Sequence, residues 1–225
     1  MDNAEANKNY RVKRLGAQYE GKNGGGEDAL SHEVWGLAEV LGDFSFPWTK
    51  MEAPETLFRA LWDDDLFYFR FEVVDEDVVL AEGADAKEQV VGSDRVEIFF
   101  TTGDDLDPYY GLEMDPRGEV LSYETRYHRQ FNWEWECPGL KIWPKLTDVG
   151  YELEGSIPMQ TFRDLECLHE KNGQPYLKAG LFRAEFSHGA GDDPVKDDWI
   201  SWVNPGGEIP DFHVPSAFGV LSFER

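Results

Sequence analysis

Short runs of aromatic and β-branched residues alternate with turn-forming clusters along almost the whole chain. The runs 57–63 (LFRALWD) and 66–75 (LFYFRFEVVD), for example, are separated by acidic residues in the manner of a β-hairpin. Roughly ten such runs follow at intervals of about 8–15 residues, and only the segment 159–171 (MQTFRDLECLHEK) has the pattern of a helix. This spacing predicts an all-β chain, a single antiparallel β-sandwich of jelly-roll or immunoglobulin-like type with one short helix.

The domain organisation is simple. Residues 1–30 are polar and rich in glycine, which predicts a flexible N-terminal lead-in. Residues 31–225 contain no internal repeat and no linker, so they form one sandwich domain. The segment MDNAEANKNYRVKR has no apolar stretch behind its charges and does not resemble an intact signal peptide. A secreted or periplasmic protein whose leader has been removed is favoured over a cytoplasmic one.

Composition excludes several classes of protein. Hydrophobic residues make up 41% of the chain and aromatic residues 14%, which argues against general disorder. No run approaches the ~18 apolar residues of a membrane span. The net charge of −24 repels nucleic acid and anionic membranes. Such an acidic protein suits neutral sugars, cations or a basic partner, although the charge is equally explained by solubility or adaptation to salt.

Motifs of catalysis are missing. The chain has no GxSxG, HExxH or phosphate-binding glycine loop, and its five histidines show no metal-ligand spacing. A non-catalytic role is therefore expected. A weak glycosidic hydrolase that uses a pair of carboxylates remains an alternative, because the distance between two such residues is decided by the fold and not by their spacing in the sequence. Cys137 and Cys167 belong to no CxxC motif, and their spacing does not decide whether they form a disulfide.

Acidic clusters at turns are candidate cation sites, because hard cations bind carboxylate and carbonyl oxygens. None of the clusters has the spacing of an EF-hand loop. Asp75 and Asp77, at the end of a strand, are the best candidates for a structural calcium ion; the alternative is an ordinary acidic turn.

Two tryptophans stand out among the aromatic residues. Trp133 and Trp135 are two positions apart in the polar segment QFNWEWECPG, so they share one side of any extended chain. Exposed indole rings suit stacking against the C–H face of a sugar. Tryptophans that close one end of the sandwich are the alternative.

The strand SDRVEIFF, residues 93–100, has two different faces. Val96, Ile98 and Phe100 share one face, which is typical of a core. The other face carries Arg95, Glu97 and a ring, and is either a solvated surface or the floor of a binding site.

Five segments resemble, in order, motifs of carbohydrate-binding module family 9. Together they span about residues 35–223: RALWDDDLFYFRFEVVDED, GSDRVEIFF, YYGLEMDPRGEV, YELEGSIPMQTF and WISWVNPGGEIPDFHVPSAFGVLSF. The resemblance implies a β-sandwich that binds sugars of the xylan or cellulose type, in some members with structural calcium. It implies a non-catalytic role in polysaccharide catabolism, with a glycoside hydrolase as a possible partner.

The resemblance also implies site residues. Members of the family hold a sugar end between two tryptophans, with a glutamate on the VEIF strand as a hydrogen-bond partner. Glu97 matches that glutamate, and Phe212, beside His213, matches one ring. Val91 stands where the other ring is expected, and Glu113 where the family carries an arginine.

The departures imply a rebuilt site. Trp133 or Trp135 is predicted to supply a replacement ring, and Arg183, on a strand that borders the family's site, a replacement cation. Two alternatives remain. One is a haem-binding sandwich of the dehydrogenase γ-subunit type with Met114 and His213 as axial ligands, although no haem is expected. The other is a purely structural docking domain.

Overall fold

The computed structural model describes residues 8–16, 18–19, 29–189 and 196–224. Most of the regular secondary structure of these residues is β-strand. The strands are β1 (Asn9–Arg14), β2 (Thr56–Trp62), β3 (Leu66–Val74), β4 (Arg95–Thr101), β5 (Tyr109–Met114), β6 (Val120–Arg126), β7 (Gln130–Asn132), β8 (Lys141–Thr147), β9 (Gly150–Pro158), β10 (His169–Lys171), β11 (Gln174–Ser187), β12 (Lys196–Ser201) and β13 (Gly219–Phe223). The helices are α1 (His32–Trp35), α2 (Ala86–Val91), α3 (Met159–Asp164) and a 3-10 turn at Pro215–Ala217.

The strands form two layers that share strand β1. The first layer has the order β7-β6-β5-β4-β11-β13-β1, with β10 and β12 also paired to β11. The second layer has the order β1-β2-β3-β9-β8. Asn9–Val12 pairs with β13 and Lys13–Arg14 with β2, both in parallel, whereas the other pairings are antiparallel. The layers are therefore continuous through one short strand.

The main core lies between the two layers and is built from the alternate residues of each strand. Val96, Ile98 and Phe100 of β4 belong to it, as the alternation predicted. Phe67 of β3 packs against Phe162 of α3, with ring centroids 5.8 Å apart. Burying aromatic and branched side chains from both layers supplies most of the stabilisation of such a fold.

The predicted β-sandwich is confirmed, with thirteen strands among the described residues where about ten were expected. The predicted lead-in needs a correction, because Asn9–Arg14 is a strand with Tyr10 and Val12 buried. Its period-two pattern is short and flanked by charges. The strands that pair with it lie far away in the sequence, so no local pattern indicates that it forms a strand. Residues 17 and 20–28 of the lead-in are outside the described part.

Two further expectations concern the cysteines and the membrane. Cys137 and Cys167 are both buried free thiols. No helix in the described part of the chain is long and apolar enough to cross a membrane.

Candidate functional site

A cavity of about 340 Å³ opens on the outer face of the first layer, away from the main core. Its volume lies within the usual range of ligand pockets, roughly 300–1,000 Å³. The residues that line it come from strands β4, β5, β6, β7 and β12, from helix α2 and from loops: Trp48, Lys87, Val91, Arg95, Glu97, Glu113, Leu121, Arg129, Phe131, Trp133, Trp199, Pro210, Asp211, Phe212 and His213.

The floor of the cavity is one guanidinium shared by two carboxylates. Glu97 on β4 lies directly opposite Glu113 on β5. Arg95 Nε is 2.8 Å from Glu97 Oε1 and 2.7 Å from Glu113 Oε2. All three side chains are less than a tenth exposed. Burial, and after it the charge of Glu113, raises the pKa of Glu97 well above its ordinary value.

Tyr123 and Gly111 support this floor from the neighbouring strands. The Tyr123 hydroxyl donates a hydrogen bond to Glu113 Oε1 at 2.9 Å. The tyrosine ring crosses directly over Gly111, where a Cβ atom would lie only 2.3 Å from it. A residue with a side chain at 111 would push the ring away, so glycine is what lets the hydroxyl reach the carboxylate.

Aromatic rings form the walls. Phe212 stacks on Phe182, with centroids 4.1 Å apart and planes 13° apart. Trp48 and Trp199 lie beside Phe212 at 5.6 and 5.8 Å. Trp48 Nε1 is buried and has no hydrogen-bond partner among the described residues. An unpaired buried donor beside a cavity is suited to an acceptor atom of a ligand.

His213 lies deep in the same cavity. Its Nδ1 is 2.8 Å from the Tyr109 hydroxyl, and its ring is 5.1 Å from that of Phe99. Burial lowers the pKa of His213 to about 3, so the ring is neutral at ordinary pH. It serves as a polar ring without charge.

The structure brings together most of the predicted binding residues. The predicted residues that line this cavity are Arg95, Glu97, Glu113, Trp133, Phe212 and His213. Val91, where a family ring was expected, is half exposed at the end of α2, and its carbonyl accepts a hydrogen bond from Arg95 Nη1 at 3.1 Å. Trp133 stacks on Phe131, with ring centroids 4.3 Å apart, and lines the same cavity.

Arg183 and Trp135 lie elsewhere, which corrects two placements. Arg183 is opposite Val96, whereas its neighbour Phe182 is opposite Glu97, so Arg183 points away from the cavity. It does not replace the missing cation; Arg95, two residues before Glu97 on the same strand, is the guanidinium in the site. Trp135 packs on the ring of Tyr110 at 4.8 Å against the main core.

Eight lining residues were missed: Trp48, Lys87, Leu121, Arg129, Phe131, Trp199, Pro210 and Asp211. Most come from loops or helix α2, where period-two alternation carries no information. Of these residues, Phe131 could have been predicted from the sequence, because it is two residues before Trp133 in the same segment and so shares its side.

The proposed haem ligands are on different faces of one layer. Met114 is opposite Val96 and buried in the main core. His213 is in the cavity on the other side. The two side chains are not arranged to bind one iron, so the haem alternative is not favoured.

A second polar cluster surrounds Arg183 between the layers. Asp75, Asp94 and Glu185 offer carboxylate oxygens that all lie within 4.8 Å of one another. Arg183 Nη2 is 3.4 Å from Asp75 Oδ2 and also contacts Glu185. Asp77, the other predicted metal ligand, is outside the cluster; its carboxylate accepts hydrogen bonds from the backbone and ring of His188.

The fit of a calcium ion to this cluster can be judged from its charges. Three carboxylates face one guanidinium, and Asp75 Oδ2 and Glu185 Oε2 share the same Arg183 nitrogen, Nη2. Burial raises the pKa of both Asp94 and Glu185 to about 7. A hard cation requires oxygen ligands that carry an excess of negative charge. Asp75, together with Asp94 and Glu185, therefore fits the predicted role of a calcium ligand. Asp77 lies outside this cluster and does not.

A β-sandwich whose outer face carries a cavity of rings and charged groups is a carbohydrate-binding type of domain. The chain belongs to the carbohydrate family 9 binding domain-like family, whose model matches residues 28–225. This confirms the resemblance found in the sequence. No curated protein is similar enough to count as a match.

Solved structures share the fold. A candidate carbohydrate-binding protein from Bacteroides uniformis is 23% identical, with a TM-score of 0.70 over 97% of this chain and 100% of the other. A family 9 module from Caldicellulosiruptor kristjanssonii in complex with cellotriose is 16% identical, with a TM-score of 0.61 over 96% and 94%. A family 9 module from the same organism in complex with glucose is 17% identical, with a TM-score of 0.56 over 96% of each chain.

Proposed function

We propose that this chain is a non-catalytic binding protein that takes the end of a neutral glycan into the cavity above Arg95. The observation that carries the proposal is the buried Arg95–Glu97–Glu113 floor beneath aromatic walls. Sugar hydroxyls both donate and accept hydrogen bonds, so they can pair with carboxylates and a guanidinium at the same time. The rings supply apolar surface for the C–H faces of the sugar.

Paired strands and a backbone contact hold the floor in place. Glu97 and Glu113 are on neighbouring strands, which are more rigid supports than loops. Arg95 is additionally held by the carbonyl of Val91. Preorganised groups bind a ligand at lower cost because their side chains lose little freedom on binding.

Neutral β-linked glucose or xylose chains, as in cellulose and xylan, are the proposed ligands. The related modules bound to cellotriose and glucose support this choice of sugar. A role in polysaccharide catabolism, beside a glycoside hydrolase, is part of the same proposal.

Phe212→Ala is the direct test of the aromatic wall. We expect affinity for cellobiose or xylobiose, measured by isothermal titration calorimetry, to fall about tenfold or more, because burying one aromatic ring contributes roughly 1.5–3 kcal/mol. Tyr176→Ala is the matched control: Tyr176 is on the same layer but lines a different groove. Circular dichroism establishes that both variants are folded. Equal affinities for the two variants, or no saturable response of the wild type to any neutral glycan, contradict the proposal.

We also propose that calcium binds at Asp75, Asp94 and Glu185 and stabilises the sandwich. Three carboxylates share the single guanidinium of Arg183, and this excess of negative charge supports the site. A bound ion would balance the charge of these three carboxylates, and because it binds the folded state it would stabilise that state.

The calcium proposal predicts a pH-dependent effect. Because folding raises the pKa values of Asp94 and Glu185 to about 7 from 3.8 and 4.5, the folded state binds more protons than the unfolded state between about pH 4 and 7. Without metal, their contribution to the free energy of unfolding therefore falls as pH rises through that window. Calcium competes with these protons, so we expect calcium at about 1 mM to raise the melting temperature more at pH 8 than at pH 5. Equal melting temperatures in calcium and in EDTA at pH 8 would mean that Arg183 alone balances the cluster.

A further inference from the structure

The charges around the cavity are arranged in two tiers. The buried floor has one cation and two carboxylates, Arg95 against Glu97 and Glu113. The exposed rim has two cations and one carboxylate, Lys87 and Arg129 against Asp211. The rim is thus positive, in a chain that has 45 acidic and 21 basic residues overall.

Lys87 contacts an aromatic ring. Its Nζ lies 3.6 Å from the centre of the Trp133 ring, and it forms no ion pair with any residue that the structure describes. A cation–π contact holds the ammonium in place but leaves its N–H groups available to an anion. Trp133 itself is 42% exposed, so a ligand can reach both groups.

Arg129 is only partly neutralised. One nitrogen, Nη2, is 2.8 Å from Asp211 Oδ1, and the side chain is 43% exposed. A guanidinium has five N–H donors, so this single contact leaves several unused. Asp211 is meanwhile shared, since it also accepts hydrogen bonds from His128 and from the backbone of His213.

We propose that the rim recognises a carboxylate, so that the preferred ligand is a glycan with a neutral end sugar in the cavity and a uronic acid next to it. This rests on the proposed function and names its ligand class more closely. The single guanidinium of the floor is already paired with Glu97 and Glu113, so an anion in the deep position finds no free cation. The rim, with its excess of cations, favours one at the mouth.

The test compares ligands that differ only in one charge. The probes are a xylo-oligosaccharide with a single glucuronic acid substituent, the methyl ester of that acid, and the undecorated oligosaccharide. We expect the acid to bind roughly five- to tenfold more tightly than the ester at low salt, since each exposed ion pair contributes modestly. The preference should shrink when salt is raised, because both cations are exposed.

Variants assign the preference to the rim. Lys87→Gln and Arg129→Gln should each reduce the ratio of the affinity for the acid to the affinity for the ester, and the double variant should remove that difference. Lys145→Gln is the control, as Lys145 is an exposed lysine on the other layer. Equal binding of acid and ester by the wild type overturns this inference while leaving the proposed function intact. If no probe binds to the folded protein, both fail.

Discussion

Glu97→Gln is expected to weaken binding of a neutral glycan by about ten- to a hundredfold while the chain stays folded. A hydrogen bond to a charged group contributes roughly 1.5–3 kcal/mol, and each 1.4 kcal/mol is a tenfold change in affinity. Glutamine keeps the size of the side chain but loses one acceptor and the charge that pairs with Arg95. Calorimetric titration with cellobiose and xylobiose measures the change.

The control for Glu97→Gln is Glu152→Gln. Glu152 also pairs with an arginine, Arg70, at 3.1 Å, but on the second layer. Its substitution should leave glycan affinity unchanged. Because Glu113 still pairs with Arg95 in Glu97→Gln, the floor keeps one ion pair and we expect no unfolding. A Glu97→Gln protein that binds glycans like the wild type would show that the ligand is held by other groups.

Arg183→Met is expected to lower the free energy of unfolding by about 3–5 kcal/mol, because removing one partner of a buried ion pair leaves unbalanced charge. Arg183 is fully buried between Asp75 and Glu185. It also donates hydrogen bonds to the carbonyl of Val74 at 3.1 Å and to Thr56 Oγ1 at 3.2 Å. Denaturant unfolding measures the loss.

Two comparisons sharpen this second experiment. Arg59→Met removes an arginine whose ion pair with Glu72 is partly exposed, so we expect a loss of about 1 kcal/mol or less. Adding calcium should restore part of the stability of Arg183→Met if the cluster binds the ion. A loss no larger than that of Arg59→Met would contradict a stabilising role for Arg183. Reduced glycan affinity in a folded Arg183→Met protein would restore Arg183 to the binding site.

The sequence predicted the class of fold because alternation and turns are local properties. In β4 the alternation separated Val96, Ile98 and Phe100 from Arg95 and Glu97, and the structure has this division. The same reasoning missed strand β1, because Asn9–Arg14 is stabilised by parallel pairing with β13, near the other end of the chain, and with β2. No local pattern contains that information.

The candidate site was predicted in part. Glu97, Phe212 and His213 were found through ordered motifs, and Trp133 through its exposure in a polar segment. Trp48 and Asp211 were not found, because they reach the cavity from loops whose path depends on the packing of the whole sandwich.

Arg183 shows where the limit lies. Alternation in β11 already separated Arg183 from Phe182, since neighbouring residues in a strand point to opposite faces. Only the pairing of β11 with β4 decides which of the two faces the cavity, and it places Phe182 opposite Glu97. The sequence by itself determined a β-sandwich and which residues of each strand share a face. The tertiary structure decided which faces meet, because register between strands depends on contacts between residues far apart in the chain.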